Sequence, residues 1–209
     1  MNIAVVASDD LKAELLQQGI REPVTIEWFT DIGKATASTA DACIDLLFSA
    51  GRDGRILMLE QMEAPLIIVN DVTGTNTRLP DKFVRINGWP GFLRRPVVEA
   101  SGYSETIKKN AVEVFNCFNK KTEWEADAPG FITARIISMI INEAYFALQE
   151  QVSSKDEIDI AMRSGTNYPH GPFEWSKIIG LKNIYTLLLE LSRLDKRYQP
   201  CDLLKQESV

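Results

Sequence analysis

The chain has 209 residues, of which 45% are hydrophobic and 25% charged, and its formal net charge is −6. This composition is typical of a globular protein with one substantial domain or two small ones. The acidic balance argues against nucleic acid or an acidic membrane as a partner, because both attract clustered basic residues. Cys43, Cys117 and Cys201 are odd in number and form no CxxC motif, so they indicate neither a disulfide framework nor a metal site.

The first apolar run, Ile3 to Ala7, lacks the basic flank and cleavage site of a secretory signal. No run in the sequence approaches the ~20 apolar residues of a membrane span. We therefore expect a cytoplasmic protein with no membrane partner.

Up to about Ala126, short apolar runs alternate with turn residues, which predicts strands. Several runs lack a polar face, as strands covered on both sides do. The predicted strands are Ile3–Ala7, Val24–Phe29, Cys43–Phe48, Pro65–Asp71, Phe83–Asn87 and Val97–Ser101.

Helices are expected between these strands. One is predicted over Asp9–Gln18, and an amphipathic pattern predicts another over Ser104–Asn116, with Ser104 as its N-cap. The segment GRDGRILMLEQM has room for one short helix. Alternating strands and helices predict an α/β sheet over residues 1–126.

From Asp127 onward the spacing is helical, and a long helix is expected after Asp127 as cap, with Pro129 near its first turn. We expect this helix to be buried on most sides, because its polar line is thin. A small domain covers such a helix best by forming a homodimer. The polar line contains Arg135, Ser138, Asn142 and Gln149.

Three further helices are predicted. Ser154 and Glu157 form a capping box at the start of the first, which is expected to end at Gly165. The second follows HGPFEW and ends near Gly180, and the third starts near Asn183 with one apolar face. That face contains Ile184, Leu187, Leu188, Leu191 and Leu194.

Three segments of the helical half, DAPGFITARIISMIINEA, SSKDEIDIAMRSGTNYPHGPFEW and IGL, lie in this order between Asp127 and about Leu204. Together they resemble the C-terminal domain of 3-hydroxyacyl-CoA dehydrogenases, and the resemblance extends back through VVEAS and IIVNDV. It implies a reduced Rossmann-like parallel sheet domain over residues 1–126 and a helical dimerisation domain over residues 127–209. Members of this family oxidise the 3-hydroxyl of an acyl-CoA by passing a hydride to NAD.

The stretch RINGWPGFLRRPVVEAS is similar to the catalytic strand-loop-strand of that family. Glu99 matches the family's catalytic glutamate, and Asn87 stands where the family has the histidine that removes the hydroxyl proton. A carboxamide cannot act as a general base near neutral pH. Two plainer interpretations stay open: Glu99 as an ordinary carboxylate at a strand end, and Asn87-Gly88 as a turn, since Asn-Gly tolerates positive φ.

The segment NDVTGT corresponds to the family's Asn-Thr-Ser segment, which lines the nicotinamide and substrate pockets. Asn70 is retained as a cofactor-binding candidate, while Val72 stands at the substrate-binding serine. Thr73, one residue on, offers a hydroxyl as a further catalytic candidate. In PGFITAR, Ala134 replaces the family's active-site asparagine, so much of the polar site is absent.

The resemblance implies NAD as cofactor, but the first turn argues against its usual pose. A dinucleotide fold places Gly-x-Gly-x-x-Gly after the first strand, whereas this chain reads SDDLKAELLQQG. Asp9 and Asp10 bring negative charge to the helix start, where the diphosphate would sit. Asp31, beyond the second strand, imitates the acid that binds the ribose, although acidic loop residues are common. No metal is expected.

Further candidates lie in the loop and the helical half. Arg94 and Arg95 are suited to CoA phosphates, because guanidinium groups bind phosphate bidentately, or they form a solvated edge. Trp89 and Phe92 offer apolar walls or packing. The only histidine, His170, is interpreted as a residue near a helix start rather than a catalytic one.

The preferred hypothesis is a family member whose NAD-dependent oxidation is lost or much reduced and which retains an acyl-CoA-type ligand. A competing hypothesis is an active NAD-dependent dehydrogenase that uses Glu99 and Thr73 in an altered site. A third is a non-catalytic dimer whose partner is another protein. The scaffold does not choose among them, because function lies in the site.

Overall fold

The computed structural model describes residues 1–48, 54–75, 77 and 79–208. The chain divides into two compact units, Met1–Phe131 and Ile132–Val209. They are called the sheet unit and the helical unit.

The division lies after Phe131, beyond the predicted boundary, because the intervening residues bond to the sheet unit. Arg85 Nη1 donates to Asp127 Oδ1 at 2.7 Å. The Gly130 N–H donates to the Val72 carbonyl, also at 2.7 Å. Asp127 is therefore bonded to a strand residue and does not cap a helix.

The strands of the sheet unit confirm the predicted α/β class. In the described part of the chain they form a seven-stranded sheet, whose neighbours are all parallel except for one antiparallel pair, the fifth and sixth strands. The strands are β1 Asn2–Val6, β2 Thr25–Phe29, β3 Ala42–Asp45, β4 Ile67–Asn70, β5 Phe83–Ile86, β6 Val97–Ser101 and β7 Lys121–Trp124. Their order is β2-β1-β3-β4-β5-β6-β7.

Two details of the sheet differ from the sequence prediction. Strand β7 was not predicted, because its sequence KTEW contains charged residues and has a half-exposed pattern, yet it pairs with β6 along its length. Strand β3 ends at Asp45 rather than at Phe48, because the Asp45 carboxylate accepts a hydrogen bond from the Leu47 N–H and turns the chain.

Helices cover both faces of the sheet. Leu11, Leu15, Ala111, Val114 and Phe115, from the first and fourth helices, pack on one face, while Ile32, Ala35, Leu59 and Met62 pack on the other. The helices are α1 Asp9–Leu16, α2 Ile32–Ala35, α3 Arg55–Glu60 and α4 Glu105–Cys117. α1 ends before the predicted Gln18, and the predicted short helix is α3, although part of its segment, residues 51–53, lies outside the described residues.

The loop between β5 and β6, residues 88–96, is held by a buried lysine. Lys120, only 1% exposed, donates from Nζ to the carbonyl oxygens of Leu93 and Arg95, the latter at 2.9 Å. Burial lowers the pKa of Lys120 to about 8, and the negative charge of Glu14 opposes this shift. The loop is therefore fixed by a cation that the fold removes from water.

The helical unit contains further helices joined by short turns, and no helix in the part of the chain that the structure describes is long and apolar enough to cross a membrane. The capping box of Ser154 and Glu157 is present. The helices are α5 Thr133–Gln149, α6 Lys155–Thr166, α7 Pro172–Ile179, α8 Leu181–Ser192 and α9 Asp202–Glu207, with a 3₁₀-helix at Lys196–Tyr198 before the last.

The ends of two of these helices differ from the prediction. Helix α6 continues through Gly165 and stops at Asn167, which adopts the left-handed conformation that terminates helices. Helix α8 begins at Leu181 and ends at Ser192, so Leu194 lies beyond it and is 73% exposed instead of joining the buried face.

Part of the predicted polar line of α5 is buried, and part of the apolar surface at its start is exposed. Ser138 and Asn142 on the polar line are buried, whereas Ile132, beside the helix start, and Ile136 are 58% and 54% exposed. Asn142 is buried because its carboxamide bonds to the backbone of the C-terminal segment, donating to the Gln199 carbonyl at 3.0 Å and accepting from the Cys201 N–H at 2.8 Å. A polar residue on this line thus bonds another segment of the helical unit instead of water.

The start of α7 is capped by a side chain from α6. Asp159 is buried and accepts hydrogen bonds from the N–H groups of Phe173 and Glu174 at 2.8 and 3.2 Å. A Cβ on Gly171 would lie 2.2 Å from Asp159 Oδ1. Only glycine therefore lets this carboxylate approach the helix end.

Two glycine substitutions should have opposite effects on stability. Gly171→Ala should lower the free energy of unfolding by about 1–3 kcal/mol, because its methyl group collides with Asp159. Gly165→Ala meets no atom within 4 Å and should raise it by about 0.5 kcal/mol through better helix propensity. Urea denaturation of both variants checks this; equal effects would contradict the described cap.

Lys120→Met should change how stability depends on pH. The folded pKa of Lys120 is about 8, below its ordinary value of about 10.4. Between about pH 8 and about pH 10.4 the unfolded chain therefore binds more protons than the folded chain. The Lys120 contribution to stability therefore rises with pH across this window and is lowest below it. The difference in unfolding free energy between wild type and Lys120→Met, measured in urea from pH 7 to 10, should rise accordingly; a flat difference would contradict the shift.

Candidate active site

The two residues at the proton-transfer positions of the family motif lie side by side. Asn87 follows β5, and its backbone N–H donates to the Glu99 carbonyl at 3.0 Å in continuation of the antiparallel pairing with β6. Its side-chain Nδ2 donates to Glu99 Oε2 at 2.7 Å. Both side chains are buried, at 2% and 7% exposure. Asn87 and Glu99 form the centre of the candidate site.

This arrangement limits what the pair can do chemically. A carboxamide has donors and an acceptor but does not ionise near neutral pH. Glu99 accepts the Asn87 amide hydrogen, so the carboxylate meets an amide where the family motif has an imidazole. The pair is suited to orienting a hydroxyl or carbonyl group by hydrogen bonds, not to shuttling a proton between two titrating groups.

Arg95 lies near the same carboxylate. Burial lowers the pKa of its guanidinium, and the negative charge of Glu99 opposes the shift. The guanidinium also stacks on the Phe92 ring, at 4.7 Å from the centroid, and Nε donates to the Phe92 carbonyl at 3.3 Å. Arg94, its neighbour, is exposed and donates to the Gly91 carbonyl at 3.3 Å. Of the two arginines, only Arg95 belongs to the surroundings of the pair.

Asn70 bonds the backbone next to the candidate site. Its Nδ2 donates to the carbonyls of Gly88 and Leu46 at 3.0 and 3.2 Å, and its Oδ1 accepts from the Gly88 N–H at 2.9 Å. A Cβ on Gly88 would lie 2.8 Å from Asn70 Cγ. The carboxamide assigned to cofactor binding thus joins the ends of β3, β4 and β5.

The other predicted residues of that segment form a turn after β4. Val72 is buried, and Thr73 beside it is half-buried. The turn is closed by the Asp71 carboxylate, which accepts from the Gly74 N–H at 3.0 Å. Thr73 follows β4 and Asn87 follows the neighbouring parallel strand β5, so both residues lie at the same edge of the sheet.

Sequence reasoning missed Arg85, which is fully buried two residues before Asn87. It bonds to Asp127 at 2.7 Å, donates from Nε to the Asp71 carbonyl at 3.1 Å, and lies 5.1 Å from the centroid of the Phe131 ring. Burial lowers the pKa of Arg85, and the negative charges of the Asp71 and Asp127 carboxylates oppose this shift. The sequence feature that could have indicated this buried ion pair is a charged residue inside the otherwise apolar strand FVRI.

The expected cofactor position lies at the ends of β1 and β3, where the chain crosses to opposite sides of β1. Ser8 caps α1 and accepts the Leu11 N–H at 3.4 Å, while Asp9 and Asp10 are exposed in the first helical turn. This helix start is therefore occupied by its own hydroxyl and flanked by carboxylates. Asp31 is exposed at the end of β2, separated from β5 by three strands.

A second missed feature lies at the same crossing point. Asp45 at the end of β3 is fully buried and forms a bidentate ion pair with Arg55, with distances of 2.6 and 2.7 Å. Burial raises the pKa of Asp45, and Arg55 opposes this. Two charges of the chain itself thus meet where a dinucleotide fold receives its ligand.

The helical unit holds the remaining candidates. Ala134 is fully buried in α5. His170 is half-buried, before α7, with its ring 6.3 Å from that of Trp175. Across the described residues no group of three or more His, Cys, Asp or Glu side chains is placed to hold a metal ion.

Comparisons with known proteins bear on the helical unit and on the fold. Residues 130–207 match the family described as 3-hydroxyacyl-CoA dehydrogenase, C-terminal domain. The chain is 46% identical over 86 residues to the 3-hydroxyadipyl-CoA dehydrogenase of Escherichia coli (strain K12), covering 40% of this chain and 18% of that protein. It is 38% identical over 87 residues to a 3-hydroxybutyryl-CoA dehydrogenase of Bradyrhizobium diazoefficiens, covering 41% of this chain and 30% of that protein.

The fold is shared over nearly the whole chain. The crystal structure of (S)-3-hydroxybutyryl-CoA dehydrogenase PaaH1 from Ralstonia eutropha superimposes with a TM-score of 0.76 and 21% identity, covering 98% of this chain and 92% of that one. The matched segment of this chain spans less than a third of the length of each of the two curated relatives. The helical unit therefore matches the C-terminal domain of 3-hydroxyacyl-CoA dehydrogenases, and it follows in the chain a sheet unit with a Rossmann-like fold.

Proposed function

We propose that this chain is a 3-hydroxyacyl-CoA dehydrogenase-like protein of acyl-CoA metabolism that retains an acyl-CoA-type ligand. In this proposal its NAD-dependent oxidation of 3-hydroxyacyl-CoA is lost or much reduced. The observation that carries the proposal is the buried hydrogen bond from the Asn87 carboxamide to the Glu99 carboxylate.

That hydrogen bond supports reduced catalysis for a chemical reason. Oxidation of a hydroxyl requires a group that accepts its proton while hydride leaves, and Asn87 has no such capacity. Loss of a general base typically lowers a rate on the order of 100-fold to 10,000-fold. Glu99 alone would have to accept the proton while bonded to Asn87.

The start of α1 supports weak NAD binding. In a dinucleotide fold, bare N–H groups and the positive helix end attract the diphosphate. Here Ser8 bonds one of these N–H groups, and Asp9 and Asp10 add negative charge. An anionic diphosphate in that place would meet two carboxylates.

The β5–β6 loop supports an acyl-CoA-type ligand. Arg94 exposes its guanidinium beside the half-buried Arg95, and such groups bind phosphate bidentately. The curated relatives are named for acyl-CoA substrates. We assign the CoA phosphates to these arginines and the acyl end to the Asn87–Glu99 pair.

Titration calorimetry with acetoacetyl-CoA and, separately, NADH tests the proposal. Acetoacetyl-CoA should bind saturably, NADH should give no heat of binding, and the two together should show no NADH oxidation. Arg95→Gln should weaken acetoacetyl-CoA binding on the order of tenfold, because it removes one charge-assisted contact. The exposed Arg193→Gln in the helical unit is the charge-matched control and should bind as wild type does.

Two outcomes would favour the alternatives. NADH-dependent reduction of acetoacetyl-CoA that Glu99→Gln abolishes would support an active dehydrogenase with an altered site that uses Thr73. Binding of neither compound would support a non-catalytic protein whose partner is another protein.

The helical unit supports a homodimer, which we propose as the assembly. Ile136 on α5 and Ile160 on α6 are each 54% exposed. Between these helices lies an apolar cavity of about 250 Å³. Exposed apolar surface beside an apolar cavity is typical of an interface, and a second copy covers it symmetrically. The cavity is lined by residues that include Ile140, Ala144, Ala147, Ile158, Met162 and Pro172.

Ile136→Asp should convert the dimer into a monomer, because it places a charge in the proposed interface. Light scattering coupled to size-exclusion chromatography measures the mass directly. The control is Leu57→Asp in the sheet unit, a residue 61% exposed, which should leave the mass unchanged. A wild-type monomer, or an Ile136→Asp dimer, would contradict this interface.

A further inference from the structure

The β5–β6 loop is bonded to helix α1 by one side chain and to the residues just after that helix by another. Both carboxylate oxygens of Glu14 accept the Gly91 N–H, at 2.7 and 2.9 Å. Just beyond the end of the helix, Gln18 Nε2 donates to the Arg94 carbonyl at 2.8 Å. The loop backbone is therefore fixed along the side that meets α1.

The Lys120 ammonium bonds other backbone groups of the same loop. It donates to the Leu93 and Arg95 carbonyls and is almost fully buried. Glu14 is the negative charge that acts on this ammonium. The Gly91 N–H of the loop thus donates to the Glu14 carboxylate, and two loop carbonyls accept from the Lys120 ammonium. The loop backbone is therefore held between opposite charges.

The clamped loop connects the two residues of the candidate site. It begins after Asn87 and ends before Glu99, and it carries Arg95, whose charge acts on the Glu99 carboxylate. The Lys120 ammonium bonds the carbonyl of Arg95 itself, at 2.9 Å. The position of this arginine therefore depends on groups that lie outside the site.

We propose that Glu14 and Lys120 are positioning residues for ligand binding at the Asn87–Glu99 pair, because they hold the β5–β6 loop between opposite charges and so set the place of the Arg95 guanidinium. This inference rests on the proposed function, in which Arg95 meets an anionic acyl-CoA-type ligand. Neither positioning residue contacts the ligand; each acts by removing conformations that the loop would otherwise adopt.

The clamp acts at a glycine whose backbone conformation other residues rarely adopt. Gly91 has φ of 88°, a conformation that other residues rarely adopt. Glycine is free to leave it unless something else holds the backbone, and the Glu14 carboxylate bonds the N–H of this same residue. Removing the carboxylate charge should release the loop while its apolar anchors, Trp89 and Phe92, stay buried.

Hydrogen exchange of the ligand-free protein tests the clamp directly. Glu14→Gln should raise the exchange rate of the loop amides in a peptide spanning residues 88–96, on the order of tenfold, because hydrogen bonds to charged groups are the strong ones. The matched control is Glu113→Gln, which makes the same charge change on an exposed face of α4. Gln18→Ala is a milder second variant that removes only the bond to the Arg94 carbonyl.

A double-mutant cycle with acetoacetyl-CoA as probe tests the role in binding. Glu14→Gln should raise the Kd on the order of tenfold in the wild-type background. In the Arg95→Ala background its effect should fall below about twofold, because the residue on which the clamp acts is gone. A purely structural role would not make the loss depend on Arg95.

Each result decides the inference. Loop exchange in Glu14→Gln equal to that in Glu113→Gln overturns the clamp, and so does faster exchange with an unchanged Kd or with no dependence on Arg95. If the wild-type chain binds no acetoacetyl-CoA, the proposed function fails. Exchange alone then decides whether Glu14 holds the loop, and faster exchange in Glu14→Gln and Gln18→Ala supports that part of the inference.

Discussion

The antiparallel pairing of β5 with β6 organises the candidate site. In a sheet of otherwise parallel neighbours, this pairing returns the chain directly beside the strand that it has just left. Asn87 thereby lies opposite Glu99, and Arg85 lies opposite Ser101 on the same face. The connection is a loop rather than a crossover helix, so the site's two central residues are joined by one short segment that must itself be held in place.

Buried charge is the second constraint, and the sheet unit places each charge beside an opposite charge or a set of carbonyl groups. Arg85 is bonded to Asp127, Asp45 to Arg55, and Lys120 to two loop carbonyls. Since a lone buried ion is costly, each of these groups restricts where its partner segment can lie. The Arg85 pair holds the residues before the helical unit, and the Lys120 contacts hold the loop of the candidate site. Polar side chains thus define irregular segments that apolar packing alone would leave undefined.

Sequence patterns predicted the parts of the fold that depend on nearby residues and missed those that depend on distant segments. The capping box of α6 and the amphipathic face of α4 were predicted because both depend on residues three or four positions apart. Strand β7 was missed because its register depends on β6, not on its own alternation of side chains. The burial of Asn142 on α5 was not predicted because its partner is a backbone segment far away in the chain. A pattern of polar residues does not show whether water or another peptide group satisfies them.

By itself the sequence determined the α/β and helical organisation of the chain, the absence of a glycine-rich turn, and the presence of an asparagine in place of histidine. These are properties of residue identity and short spacing, and they needed no knowledge of distant contacts. Only the tertiary structure decided that Asn87 donates to Glu99, that Asn70 bonds the backbone of Gly88, and that Glu14 and Lys120 hold the loop between opposite charges. The physical reason is that hydrogen bonds and ion pairs depend on distance and burial, which arise when segments far apart in the sequence come together.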